Sequence, residues 1–377
     1  LFHTSGKGSQ ILNYLKMNIL NQIKLGNKIL KNKVVMAPMT RSRASDDGVA
    51  NDLMVLYYAQ RASAGLIISE GINISEQAKG SPGTPGLFTQ EQIDSWKKVT
   101  AAVHENGSAI YAQLWHTGRV GHTSVKNGVL PVAPSAIAIE GQQHFTGTGM
   151  ADYETPKALT QAEIKQVIQD YKQAAVNAVE AGFDGVELHA AFGYLPNQFL
   201  AESSNQRTDG YGGSIENRNR FVLEVMHGLV DAFGDGKVGI KLSPAIPYNN
   251  IIHQDPTAQF TALIAALDEM PLAYIHLMNA SPSANQLPHY PQNILETFGK
   301  LTRHIVIGNM GYDRETGEQE LEKGIAKMIS YGALFLANPD LPKRFELKAA
   351  LNQPDRATMY GGGERGYTDY PFLDANH

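Results

Sequence analysis

Short apolar runs recur along the chain with helical patterns between them, and this alternation sets the expected fold. Strands are predicted over residues 33–37, 65–70, 108–115, 183–189, 237–243, 273–278, 304–308 and 327–335. Several of these runs are almost continuously apolar, as a parallel strand buried on both faces requires. Helices are predicted between them. Thr89 with Gln92, and Thr160 with Glu163, form capping boxes, in which a hydroxyl and the side chain three residues on satisfy otherwise orphaned N–H groups. After Thr160, the residues Ile164, Val167, Ile168, Tyr171, Ala175 and Val179 share one apolar face, and Gly182 ends the helix. Another helix starts at Ser214, with Phe221, Val222, Val225 and Leu229 on its apolar side, and residues 52–64, 313–324 and 338–351 complete the alternation.

Eight strands alternating with helices predict an α/β fold, a single (β/α)8 TIM barrel. The competitor is a doubly wound open sheet. No strand is followed by G-x-G-x-x-G opening a helix, so neither a dinucleotide fold nor a Walker loop is signalled. A Gly-containing turn at residues 25–27 separates two short apolar segments and predicts a hairpin that closes the bottom of the barrel. Residues 1–16 read as an extension of uncertain status, and residues 17–377 as one domain. Residues 117–157, rich in Gly, Pro and Ser, form the longest excursion and are expected to fold over the C-terminal face after the third strand.

Composition narrows the chemistry. The chain has no cysteine among 377 residues, which excludes disulfides, thiolate nucleophiles and cysteine metal sites. The net charge is -5 with no long run of one sign, so neither nucleic acid nor an anionic membrane surface is an expected partner. No apolar run reaches membrane-spanning length, and the expectation is a soluble, cytoplasmic protein, monomer or homodimer, acting on small molecules.

In a barrel, chemistry collects at the C-terminal strand ends. The predicted fourth strand ends on His189, and Tyr194 follows five residues later. An imidazole N–H can polarise a carbonyl oxygen while a phenol supplies a proton to a developing carbanion. Other strand ends supply Thr40, Gln113, Trp115 and Lys241, with glycines after the seventh strand. An amide, a hydroxyl, a fixed cation and an indole wall suit a planar, electron-rich heterocycle. Pyridoxal chemistry would need Lys241 as a Schiff base, without a distinctive companion. A metal hydrolase using His116 and His122 lacks a carboxylate at ligand spacing.

Several motifs in order carry a more specific signal: KVVMAPMTRSR at 33–43, AQLWHTGR at 112–119, GVELHAAFGYLPNQFLAESSNQRTDGYGG at 185–213 continuing into SIENR, ANPDLPKR at 337–344 and YGGGERGYTDYP at 360–371. Together they resemble the old yellow enzymes, flavin-dependent ene-reductases. The resemblance implies one non-covalent FMN across the barrel mouth, reduced by transiently bound NADPH or NADH. It implies hydride transfer from flavin N5 to the β-carbon of an α,β-unsaturated carbonyl or nitro compound, with phenols as ligands. Carried over residue by residue, Pro38, Thr40, Gly71 and Gln113 contact the flavin ring, Lys241 lies near its N1 and O2, and Gly311, Gly332 and Ala333 lie at its phosphate. His189 binds the substrate oxygen, Tyr194 donates the proton, and Trp115 and Tyr367 shape the pocket.

Three positions depart from the family pattern. Phe192 stands where Asn or a second His is usual, leaving His189 as the remaining donor of a two-donor clamp. Lys241 replaces an Arg, keeping the charge but not the planar fork. Ala333 replaces an Arg that clamps the phosphate, which leaves backbone N–H groups near Gly311 and Gly332 to hold an anion. A barrel with weak or lost FMN binding, serving as a small-molecule binder, is the rival expectation.

Overall fold

The computed structural model describes residues 17–373, so the extension expected over residues 1–16 lies outside the described residues. Eight parallel strands close on themselves: β1 (Val34–Met36), β2 (Leu66–Asn73), β3 (Ala109–Trp115), β4 (Gly185–Ala190), β5 (Val238–Leu242), β6 (Tyr274–Met278), β7 (Ile305–Asn309) and β8 (Met328–Tyr331). Each pairs with its neighbours in sequence, and β8 closes onto β1 with Ser330 opposite Val35. The closed sheet has no open edge, and it excludes the doubly wound alternative.

Helices α1 (Asp52–Gln60), α2 (Gln90–Glu105), α3 (Gln161–Glu180), α4 (Leu195–Leu200), α5 (Ile215–Phe233), α6 (Pro256–Asp268), α7 (Ile294–Phe298), α8 (Arg314–Glu322), α9 (Ala333–Ala337) and α10 (Leu341–Leu347) complete the alternation. Both expected capping boxes form: Gln92 N donates to Thr89 Oγ1 at 3.3 Å and Thr89 N to Gln92 Oε1 at 3.2 Å. In α3 the same pair of bonds measures 3.3 and 2.8 Å. The eighth strand is shorter than expected. It stops at Tyr331, Gly332 caps the next element, and Ala333 to Phe335 belong to helix α9. A buried apolar run reads alike as strand or helix, and only the glycine marks the change.

The lower half of the barrel interior is apolar. Leu25 and Leu30, from a hairpin pairing Ile23–Leu25 with Lys28–Leu30, pack with Val35, Leu66, Ile68 and Ile307 and plug that end. Tyr111 and Tyr274 fill the layer above because the facing positions are glycines. A Cβ on Gly185 would lie 2.4 Å from the Tyr111 ring, and one on Gly239 would lie 2.3 Å from the Tyr274 ring. Small-against-large pairing of this kind is how a tapered barrel fills.

The excursion after β3 holds two small sheets, Gln143–Phe145 with Met150–Asp152 and Val132–Ala133 with Lys157–Ala158. Buried Arg119 ties it to the loop after β5 through Ile137 O at 3.1 Å and Asn249 O at 2.9 Å. No helix among the described residues is long and apolar enough to cross a membrane.

Candidate active site

Above the tyrosine layer the barrel turns polar, and strand register decides which side chains meet there. Gln113 pairs in register with Glu187, His189 with Lys241, Lys241 with His276, and Asn309 with Ser330. Alternation along each strand points these residues to the same side of the sheet, the barrel interior. Glu187 is the hub. It accepts from Gln113 Nε2 at 2.8 Å, from Tyr274 Oη at 3.1 Å and from His276 Nδ1 at 2.8 Å. His276 Nε2 lies 2.7 Å from Ser330 Oγ, which also accepts from Asn309 Nδ2 at 2.7 Å.

Burial alone would push the Glu187 carboxyl up, but His276, Lys241 and Gln113 outweigh it and hold the group below its usual value, so it is an anion. Burial, only partly offset by Glu187, lowers His276, so that imidazole is neutral. Burial also brings the Lys241 ammonium down to about 8, with Glu187 opposing the shift. The net charge of this desolvated layer is therefore near zero, the condition under which buried charges are tolerated.

Four atoms at the mouth have no hydrogen-bond partner among the described residues and are not sealed in the interior: Lys241 Nζ, Gln113 Oε1, His189 Nε2 and Tyr194 Oη. His189 is pulled well below the usual histidine range by burial and by the neighbouring Lys241 and His276, so the imidazole is neutral. Tyr194 sits after β4 as the cap of α4, its ring 4.8 Å from His189 at 77° and 5.0 Å from Trp115 at 87°. The indole and imidazole hold the phenol edge-on. Gly71 follows from the same packing, since a Cβ there would lie 2.7 Å from the Trp115 ring.

Pro38 and Thr40 follow β1, partly exposed. Phe192 takes a left-handed backbone at φ 56°, donates its N–H to Ser243 Oγ at 3.0 Å, and packs edge-on to Tyr248 at 6.1 Å. Met310 and Gly311 have successive φ values of 76° and 85°, and Ala333 is exposed at the start of α9. His116 is buried with Nδ1 accepting from Gly118 N at 3.0 Å, His122 Nδ1 lies 2.8 Å from Ser124 Oγ, and no group of three side chains that could hold a metal ion occurs among the described residues.

Tyr367 requires a correction. It is fully buried, stacked on Tyr57 at 4.1 Å and 13°, with the Arg41 and Arg43 guanidiniums 5.0 and 4.3 Å from its ring centroid. Such cation–π stacking anchors the C-terminal segment instead of forming a pocket wall. From the same motif it is exposed Tyr360 that lies near enough to act electrostatically on Tyr194, as do Tyr153 and Tyr248. Residue order within YGGGERGY could not tell the two tyrosines apart. Glu187, His276, Asn309 and Ser330 were also missed, although a charged or polar residue inside an apolar strand signals them.

Residues 18–352 match the model of the NADH:flavin oxidoreductase / NADH oxidase family. The chain belongs to that family. The 12-oxophytodienoate reductase 1 of Oryza sativa subsp. japonica is 42% identical over 360 residues, covering 94% of this chain and 93% of the relative. Among solved structures, morphinone reductase superposes with a TM-score of 0.91 at 44% identity, over 97% of this chain and 99% of that one. An old yellow enzyme homologue from Zymomonas mobilis superposes at 0.90 with 37% identity, over 94% and 100%. The resemblance to old yellow enzymes and the barrel architecture therefore hold. As an NADH:flavin oxidoreductase of this type, the protein is an NAD(P)H-dependent ene-reductase with FMN as cofactor.

The free atoms fit a flavin. Its pyrimidine end carries an N–H flanked by carbonyl oxygens; Gln113 Oε1 could accept from that N–H, and Lys241 could meet an oxygen or the charge of the reduced ring. A ligand that needs the Lys241 charge must take up a proton wherever the free lysine is partly neutral. FMN affinity is accordingly expected to fall as pH rises above about 8, by up to about tenfold per pH unit. Lys241→Arg, charged throughout, should flatten that profile. Flavin-fluorescence titrations at pH 7 and pH 9 check both.

Proposed function

We propose that this NADH:flavin oxidoreductase reduces the activated C=C bond of α,β-unsaturated carbonyls or nitro compounds, with His189 holding the substrate oxygen and Tyr194 supplying the proton. The observation that carries this reading is the pair of unpartnered donors, His189 Nε2 and Tyr194 Oη, on rings 4.8 Å apart at the barrel mouth. Gln113 and Lys241 would hold FMN, which, once reduced by NADPH or NADH, would supply the hydride for the β-carbon. The protein's own groups do the rest. His189, kept neutral by burial, donates to the carbonyl or nitro oxygen and draws charge toward it as the double bond is attacked. Burial and the neighbouring phenols of Tyr248, Tyr153 and Tyr360 raise the pKa of Tyr194, so it holds its proton until the α-carbon becomes basic enough to take it. Trp115 restricts where that phenol can point.

Phe192 leaves one donor at the oxygen, which favours ligands needing a single strong contact, including phenols. At the phosphate end, the left-handed pair Met310 and Gly311, with Gly332, supports anchoring through backbone N–H groups, since Ala333 brings no charge. Relatives named for reducing 12-oxophytodienoate and morphinone support an oxo-substituted alkene as substrate. One catalytic domain and a cytoplasmic setting, where reduced nicotinamides are replenished, belong to the same proposal.

The test is the fate of label. Turnover of 2-cyclohexenone with nicotinamide deuterated at the transferable C4 position is expected to place deuterium at the β-carbon and a solvent proton at the α-carbon. Deuterium at the carbonyl carbon would overturn the proposal.

A further inference from the structure

The hydrogen bonds beneath the mouth have a direction, and Glu187 sets it. An ionised carboxylate only accepts, so the Gln113 amide must turn its NH2 toward Glu187, at 2.8 Å, which leaves Oε1 as the atom without a partner. On the other carboxylate oxygen, Tyr274 and His276 both donate. His276 Nδ1 thus carries the proton, its Nε2 accepts from Ser330 Oγ, and that hydroxyl accepts from Asn309 Nδ2. Turning either the Gln113 amide or the His276 tautomer around would set a buried acceptor against the carboxylate oxygen.

We propose that Glu187 is a positioning residue that fixes the rotation of the Gln113 amide, so that its carbonyl oxygen faces the cavity as an acceptor for an imide N–H. This rests on the flavin reading of the site and names the group that discriminates the pyrimidine edge. Glu187 is fully buried behind Gln113 and acts through it. Its charge also faces Lys241, the cation of the same layer, so one residue orients the acceptor and balances the ammonium beside it.

The isosteric substitution Glu187→Gln tests the logic. A glutamine there has a single acceptor oxygen. Two donors, Tyr274 and His276, claim it, so its NH2 meets Gln113 and forces that amide to turn over. FMN affinity of the purified holoprotein, measured by ultrafiltration, is expected to weaken by roughly tenfold to a hundredfold, the cost of presenting a donor to a donor. The reciprocal swap, Glu187→Gln with Gln113→Glu, restores an acceptor facing the cavity and should recover most of the loss, which a merely structural role for Glu187 would not allow. A neutron structure of the wild-type holoprotein reads the orientation directly and does not depend on any variant folding: amide deuterons on the Glu187 side are expected. Deuterons on the opposite end of the amide, wild-type affinity in Glu187→Gln, or a swap no better than the single variant would each overturn the inference. Loss of enone reduction with FMN affinity and amide orientation as expected would instead count against the catalytic reading.

Discussion

Replacing His189 by Ala is expected to slow reoxidation of the reduced protein by 2-cyclohexenone by about 10²–10³-fold, the usual loss when one preorganised donor to a developing oxyanion is removed. The effect should sit at the upper end of that range. Where two donors share an oxygen, one can partly cover for the other, but position 192 is a phenylalanine whose ring packs on Tyr248 and whose N–H is already given to Ser243. On the proposed mechanism, neutral His189 is then the one side-chain donor to the oxygen in that corner. Stopped-flow mixing of the prereduced variant with enone, with phenol affinity measured in parallel, checks this. Unchanged phenol binding and reoxidation would mean that the oxygen is held elsewhere.

Tyr194→Phe is expected to lower enone turnover by about 10²–10⁴-fold, the range for a positioned general acid, while reduction by nicotinamide stays near wild type. Removing a hydroxyl from a ring held edge-on by Trp115 and His189 leaves the packing in place, so the loss reports proton supply. The pH dependence has a definite sign. Burial raises the Tyr194 pKa above its ordinary value, so the phenol remains protonated up to and beyond the ordinary phenol pKa of about 10. Turnover should therefore show no alkaline fall from this group below that pH. Wild-type rates that decline through neutrality with a slope assignable to Tyr194, or a Phe variant with full turnover, would remove it from the role.

Most of the architecture was legible because barrel strands and their helices obey strict periods. The eight apolar runs fell close to β1 to β8, and the capping boxes at Thr89 and Thr160 marked helix starts to the residue. Helix α6 was missed despite a cap, in which Ala258 N donates to Asp255 Oδ1 at 2.8 Å, because its apolar residues are not confined to one stripe. Helix α7, of five residues, is too short to show a period. For the site, strand ends were legible and strand interiors were not. His189 stands out as the polar end of the expected fourth strand, whereas Glu187 and His276 lie inside runs and become intelligible only when barrel closure brings them within hydrogen-bond distance. Tyr367 shows the converse: a motif fixes that a tyrosine is present, but Arg41, Arg43 and Tyr57 decide that it faces the core.

The central claim is that Lys241, Gln113, His189 and Tyr194 surround one cavity that holds a flavin, over which nicotinamide and substrate take turns. Anaerobic titration of the purified protein, followed through the visible absorbance of its chromophore, tests it most directly. One equivalent of yellow FMN should be bleached by one equivalent of NADPH or NADH, and one equivalent of 2-cyclohexenone should restore the colour. A colourless barrel that FMN does not reconstitute, or a bound flavin that nicotinamide bleaches and enone leaves bleached, would contradict it.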